Sequence, residues 1–387
     1  MLILPIQEAE AGMRLAAPVT HPNKPNQTLL RQGYVLKDNI IERMRSFGIS
    51  FVYVDHPELD FMDRHLEIYL SPARQEVYYQ IKHAISLAQR KTHPGIPYEA
   101  YCNTTRELIV ALLTQGQNPI YLEQMSRQGS EAVSHAAAVA HLSLLLGLKL
   151  ESYLISEREH LSWRRARDVV NLGVAAMLHD LGVSRLAGPL RRHCEVDFPD
   201  DAGQCEQWQV HPLLGYSMIH DQVGPSAAAA VYQHHQHFDG SGFPALKENN
   251  GERHTLSGQR IHVFARIVLC ANLFDRLACP PGYRGRRSNL EVLTLMRRQY
   301  AGWYDPVVFR ALQMIAPPFP PGYRVRLSDG TAAVVTDVNP GSPTRPIVRR
   351  LASDAWTLVG SPVDLRDPLT PQIQTELCPE PLEPIGV

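Results

Sequence analysis

The chain has no Cys-x-x-Cys pair, no internal repeat, no low-complexity tract and no excess of charge of either sign. Each absence removes a class of function. Its six cysteines stand apart at 102, 194, 205, 270, 279 and 378. That spacing reads as reduced, mostly structural thiols rather than a disulfide framework. With 38 Lys and Arg against 39 Asp and Glu the formal net charge is −1. No global basic field exists to favour duplex nucleic acid or a membrane surface, and neither is expected as a partner. Local basic groups can still meet an anionic ligand. No uninterrupted apolar run reaches the ~18 residues of a membrane span; the nearest, 136–150, is broken by His141, Ser143 and Lys149. The opening MLILPIQEAE lacks a basic leader and soon turns acidic, so no signal peptide is expected and the location expected is cytoplasmic.

What is present is an ordinary composition, 44% hydrophobic and 20% charged over 387 residues, enough for two or three domains. The pattern predicts an α+β multidomain chain. Residues 1–60 read as a small α/β module: short apolar stretches, a bend at Gly33, a helical period over KDNIIERMRSFG and a strand at ISFVYVD. Residues 61–128 read as a helical connector and a candidate dimer contact. From 129 to 317 the pattern is helical almost throughout, with helices near 130–148, 160–180, 206–221, 224–236, 259–277, 288–301 and 305–315. A long glycine-bearing loop interrupts it at 237–258. After PPFPPGY the period switches to two around Asp329-Gly330, a strong hairpin signal, and 318–368 reads as an antiparallel β appendage. Residues 369–387 read as a disordered tail.

Histidine is the informative residue. Of 17, ten fall between His135 and His237. His179-Asp180 closes the apolar helix VVNLGVAAML just before Gly182. Together the pair offers a neutral nitrogen and an anionic oxygen to one cation, or a carboxylate bridge to two. Alone, such a pair is more often a cap or a solvated helix end. Glu131 and His135 stand at i,i+4 and so face the same way. His211 lies among apolar residues, as a satisfied core histidine would. His234-His235 ends AAAAVYQHH; neighbours on a helix diverge by ~100°, yet at a terminus both imidazoles can reach two ions ~3.5–4 Å apart. FDGSGFP follows directly, its glycines able to bring backbone N–H groups close to a phosphate or metal.

The ordered series His135, His179-Asp180, His211, His234-His235 and Asp239-Gly-Ser-Gly-Phe-Pro resembles the HD-GYP family, a branch of the HD phosphohydrolases. The resemblance spans 130 to 315, and the first 60 residues resemble a small domain often found ahead of such domains. It implies an all-helical domain holding two or three divalent metal ions, usually iron or manganese; with the departures noted below, one to three are expected. It also implies cyclic di-GMP or a related phosphodiester as substrate, cleaved by a metal-bound hydroxide. Carried over by position, His135, His179, Asp180, His211, His234 and His235 would be ligands, with Glu131 for a third metal. His179 and Asp180 would be the catalytic pair. Asp239, Gly240, Gly242, Asp275 and Arg284 would line the substrate.

Three positions depart from the family pattern. Its HDxGK lysine is Val183, with Arg185 the nearest substitute. Its last aspartate ligand is Asn272, which removes one negative charge. Its phosphate arginine is Pro281. The resemblance therefore supports two readings, a metal-dependent phosphodiesterase and a degenerate member acting as a cyclic di-GMP or metal-binding receptor or scaffold. Its partners would be the nucleotide, a second copy of the chain or a signalling protein.

Overall fold

Short apolar segments at the N-terminus pair as strands before any long helix begins. The computed structural model describes residues 2–21, 24–47, 49, 51–56, 72–114, 131–192, 206–247, 253–280, 283–284, 287–352, 357–377 and 383–384. Strand β1 (Leu2–Pro5) is followed by the hairpin β2 (Val19–His21) and β3 (Lys24–Leu30), helix α1 (Asp38–Ser46) and β4 (Phe51–Val54). β1 and β4 pair antiparallel, Leu2 opposite Val54 and Pro5 opposite Phe51. Gly33 sits at φ +80°, where a side chain would be strained.

The helices come next: α2 (Pro72–Arg90), α3 (Tyr98–Thr114), α4 (Glu131–Lys149), α5 (Glu151–Glu157), α6 (Trp163–Ala166) and α7 (Val170–Leu178). After them stand α8 (His211–Ile219), α9 (Pro225–Gln233), α10 (Val263–Ala278), α11 (Asn289–Gln299) and α12 (Pro306–Ile315). α4 is built from alanine and leucine, the best helix formers, with Glu131 at its positive end and Lys149 at its negative end. By length and mean hydropathy, 1.4 over an 18-residue window, it could cross a membrane. Yet 83% of that window is buried inside the protein, as befits a core helix. The expected single helix over 160–180 is corrected: Asp168 Oδ1 accepts from the Val170 N–H at 2.9 Å and opens α7 as a separate element. Side-chain caps set other starts. Ser288 and Glu291 form a capping box on α11, and Asp305 caps α12 ahead of Pro306.

α4, α7 and α10 form the centre of the helical domain, with α3, α9 and α12 packed around them. At one edge Arg266 of α10 is 2% exposed and binds Asp305 (2.8 Å), Tyr153 Oη (2.6 Å) and Glu157. It ties α5, α10 and α12 together. Within the glycine-bearing loop, β5 (Leu246–Lys247) and β6 (Arg253–His254) pair briefly, and β7 (Tyr283–Arg284) follows α10.

The C-terminal part is a five-stranded antiparallel sheet in the order β11 (Leu358–Asp364), β10 (Ile347–Leu351), β9 (Ala332–Asp337), β8 (Arg324–Leu327), β12 (Ile373–Glu376). Asp329-Gly330 turns β8 into β9 as the sequence predicts, with Gly330 at φ +82°. The expected disordered tail is corrected in two places. Residues 373–376 fill the open edge of β8, and β13 (Glu383–Pro384) pairs with β7. An unpaired strand edge is a row of unsatisfied N–H and C=O groups, and these segments cover it.

The two ends of the chain, read from sequence as separate modules, share one apolar cluster. Leu4, Leu15, Leu36 and Val54 are buried with Tyr323, Val325, Val334 and Val348. Arg324 also pairs with Glu8 across this junction. Breaking a buried ion group leaves uncompensated charge, at a cost of about 3–5 kcal/mol. Arg266→Ala should lower stability by that amount in urea denaturation; a shift under about 1 kcal/mol would show that Glu157 and Asp305 do not need it.

Candidate metal centre

Six side chains identified from sequence come together at the ends of four helices. His135 stands on α4, His179 at the C-cap of α7 and Asp180 at the start of the 3₁₀ turn 181–185. His211 opens α8, while His234 and His235 follow α9, their rings 4.2 Å apart. All five imidazoles are buried. The architecture leaves no slack around them. A Cβ on Gly182 would lie 2.0 Å from the carbonyl oxygen of His211, and one on Gly242 would lie 2.2 Å from the carbonyl of His235. These glycines let the His179–Asp180 turn and the DGSGFP loop close onto the other ligand-bearing segments.

The carboxylate of Asp180 divides the cluster in two. Its Oδ2 lies 3.6 Å from His135 Nε2 and 3.5 Å from His179 Nε2, which are 3.3 Å from each other. Its Oδ1 lies 3.4 Å from His211 Nε2 and 3.7 Å from His234 Nε2, again 3.3 Å apart, and His235 joins this half. Donors about 2.1 Å from one cation stand about 3–3.5 Å from one another. Each half has close to that spacing.

The protons decide whether a cation fits. Nδ1 of His179 faces the carbonyl of Ala176 (2.8 Å), that of His211 faces Trp208 (2.9 Å) and that of His234 faces Val231 (2.7 Å). A carbonyl only accepts, so each Nδ1 carries the hydrogen. Burial pushes His211 well below its ordinary value and His234 down to about 3, helped in both by neighbouring His235. Both rings are therefore neutral, and their Nε2 atoms are bare lone pairs 3.3 Å apart. Two lone pairs cannot hydrogen-bond to each other; a cation between them resolves the contact. His135 gives Nδ1–H to Asp275 Oδ2 at 2.6 Å, and burial, then Arg276, lowers it to about 4. Imidazoles held this way are oriented for metal.

The other expected residues take different places. Asp239 Oδ1 accepts from the Ser241 N–H (2.9 Å) and hydroxyl (2.6 Å), so it shapes the loop rather than facing the cluster. Gly240, at φ +88°, makes the turn. Asp275 orients His135. Glu131 sits on the rim, its side chain 58% exposed, outside both ligand groups. Arg185 is turned away to the Ala88 carbonyl and does not replace a lysine at position 183. Val183 instead packs against a small apolar cluster of Leu186, Leu190, Trp208 and Phe243. Asn272 is 6% exposed and its Oδ1 has no hydrogen-bond partner among the described residues, an orphaned oxygen on the same helix face as Asp275 and Arg276. Pro281 lies outside the described residues, as does the side chain of Arg284.

Two features escaped the sequence reading. Arg276 Nη2 donates to Asp180 Oδ2 at 2.9 Å and Nη1 approaches Glu131 at 3.9 Å. Its i+4 spacing from Asn272 was the available signal. Trp208 and Phe243 wall the second half, with Trp208 4.4 Å from the His211 ring and Phe243 stacked 4.5 Å from His235. The loop also leans on α11's far end, His237 stacking on Trp303 at 4.0 Å.

Residues 159–308 match the HD domain family. Domains of this family bind divalent metals. Among curated proteins, the chain is 24% identical over 293 residues to the cyclic di-GMP phosphodiesterase PA4108 of Pseudomonas aeruginosa, covering 72% of this chain and 65% of that one. It is 27% identical over 183 residues to the cyclic di-GMP phosphodiesterase response regulator RpfG of Xanthomonas campestris, covering 46% of this chain and 42% of RpfG. To the 3'3'-cGAMP-specific phosphodiesterase 3 of Vibrio cholerae it is 26% identical over 149 residues, 38% of this chain and 29% of that one. The chain thus spans less than two thirds of the length of these relatives. Of solved structures, Bd1817, an HDG"Y"P protein from Bdellovibrio bacteriovorus, overlaps 80% of this chain and 97% of its own at a TM-score of 0.40 and 14% identity.

Gly182→Ala should drive the His211 backbone away from Asp180 and lower the urea midpoint sharply, by about 3 kcal/mol or more. A variant as stable as the wild type, with unchanged metal uptake, would show that the contact is soft. The depressed histidines also set a pH dependence. Above the ordinary imidazole value near 6.5, folded and unfolded chains are both deprotonated and stability is full. On acidification the unfolded chain takes protons first, while folded His135 holds out to about 4 and His234 to about 3. Chelator-treated protein should therefore lose stability progressively from pH 6.5 downward. A urea midpoint constant from pH 7 to 4 would contradict this.

Proposed function

We propose that the chain is a metal-dependent phosphodiesterase acting on cyclic di-GMP or a related phosphodiester. The observation that carries the proposal is the Asp180 carboxylate set between two groups of imidazole nitrogens, one on each oxygen. A donor set of imidazole and carboxylate without thiolate suits iron or manganese. When bound, such a cation supplies Lewis acidity toward a phosphoryl oxygen and makes a water molecule acidic enough to attack phosphorus. The chain's own residues have separate tasks. His211, His234 and His235 would hold the cation with Asp180, and His135 and His179 would flank its second oxygen. Asp275 keeps His135 in the one tautomer that presents Nε2 inward. Trp208 and Phe243 keep bulk water from the far side of the imidazoles.

The relatives named for cyclic di-GMP and 3'3'-cGAMP support a cyclic dinucleotide as the substrate class. We place the protein in cytoplasmic signalling, with residues 129–317 as the catalytic unit and the stretch 61–128, described over α2 and α3, as the contact for a second copy or a signalling partner. A receptor role is the second reading, and one observation favours it: position 183 is an apolar packing residue, so no side-chain cation there meets the substrate phosphate.

Hydrolysis of cyclic di-GMP with iron(II) or manganese(II), read by chromatography of the products, separates the two. Asp180→Ala should reduce turnover by roughly two orders of magnitude or more. Wild-type protein that binds the dinucleotide without cleaving it in either metal would transfer the assignment to the receptor reading.

A further inference from the structure

The two halves of the centre are unequal. One holds four ligand atoms, from Asp180, His211, His234 and His235, against an aromatic wall. The other holds three, from His135, His179 and Asp180, and the oxygen it uses already accepts from Arg276 at 2.9 Å. That guanidinium is held in place, only 14% exposed.

We propose that Arg276 stands in for one divalent cation, so that the centre takes a single metal ion, in the half formed by Asp180 Oδ1, His211, His234 and His235. The inference rests on the metal-centre reading above and concerns its stoichiometry. Charge is the first argument. Asp180 and Asp275 bring two negative charges and Arg276 one positive charge, leaving one net negative charge in a buried site. One divalent ion carries the balance to plus one; a second would carry it to plus three. Asn272 adds no charge to offset that excess, although its orphaned oxygen lies on the face that carries Asp275 and Arg276. Unpaired charge is costly in a water-poor interior.

Cation placement is the second argument. In each half two imidazole Nε2 atoms stand 3.3 Å apart, and in the His211–His234 half they face Asp180 Oδ1 at 3.4 and 3.7 Å. In the His135–His179 half, a cation is already supplied to the shared carboxylate oxygen by the chain itself. A second metal on Oδ2 would meet a guanidinium already bound there. Arginine stays charged at any working pH, so the substitution is permanent.

The test is a metal count on the full chain, stripped with chelator, loaded with manganese(II), desalted and analysed by mass spectrometry and electron paramagnetic resonance. Wild type should hold about one manganese per chain with an uncoupled spectrum. Arg276→Ala should gain a second, with the spectrum of a spin-coupled pair. His211→Ala should lose the ion, whereas His179→Ala should keep it, and this pair decides the matter if Arg276→Ala does not fold. Two equivalents in the wild type, a single equivalent in folded Arg276→Ala, or loss of the ion from His179→Ala would each overturn the substitution while leaving a metal centre in place. No manganese in any of these proteins would overturn the centre itself.

Discussion

The carboxylate of Asp180 has two oxygens and five claimants: two imidazoles face Oδ2, two face Oδ1, and Arg276 donates to Oδ2. An unpaired carboxylate at this depth would be costly, and bare imidazole nitrogens gathered around it would make matters worse. The helices are therefore arranged to converge on one charge. His179, Asp180, His211, His234 and His235 sit at helix ends or beside them, where the backbone can still turn, and His135 sits in the second turn of α4. The rings of His179, His211 and His234 are each aimed by a carbonyl three residues back in the same segment. That of His135 is aimed across the bundle by Asp275. Local backbone thus fixes three tautomers, and one long-range carboxylate fixes the fourth.

Glycine and aromatic residues complete the arrangement from opposite directions. Gly182 and Gly242 remove atoms, so that segments approach within distances a side chain would forbid. Trp208 and Phe243 add bulk, filling the space behind His211 and His235. The consequence is a polar cluster backed by aromatic rings beside His211 and His235, with Arg276 and the exposed Glu131 carboxylate paired at 3.9 Å.

Much of this was legible in the sequence because helical spacing and residue chemistry coincide there. His179-Asp180 before Gly182, and His234-His235 before DGSGFP, announce helix ends bearing ligands, and Asp329-Gly330 announces its hairpin. What the sequence could not show depended on the third dimension. Arg276 looks like an ordinary charged residue until its helix face is known, and Arg185 looks available until its side chain is seen bonded to Ala88. Asp239 Oδ1 is bonded to Ser241 two residues on, a local contact that motif reading overlooks. The break at Asp168 is of the same kind, a local side-chain bond from the Val170 N–H set against a continuous helical period. The strand at 373–376 was hidden because prolines around it suggested disorder, whereas an open sheet edge elsewhere was waiting for it.

The junction between the two ends of the chain imposes an order on synthesis. Glu8 and Arg324 are 316 positions apart, and the apolar faces of β1, β4 and α1 share their cover with β8, β9 and β10. A chain emerging from the ribosome N-terminus first exposes the early strands long before the later ones exist. The helical bundle, whose contacts lie largely between 77 and 316, can assemble in that interval. Closing so wide a loop costs chain entropy, and that cost falls once the bundle has shortened the distance between its ends. The helices that carry the histidine cluster are thus the scaffold on which the early and late strands meet, and the N-terminal strands wait, half covered, for the last sheet to be made.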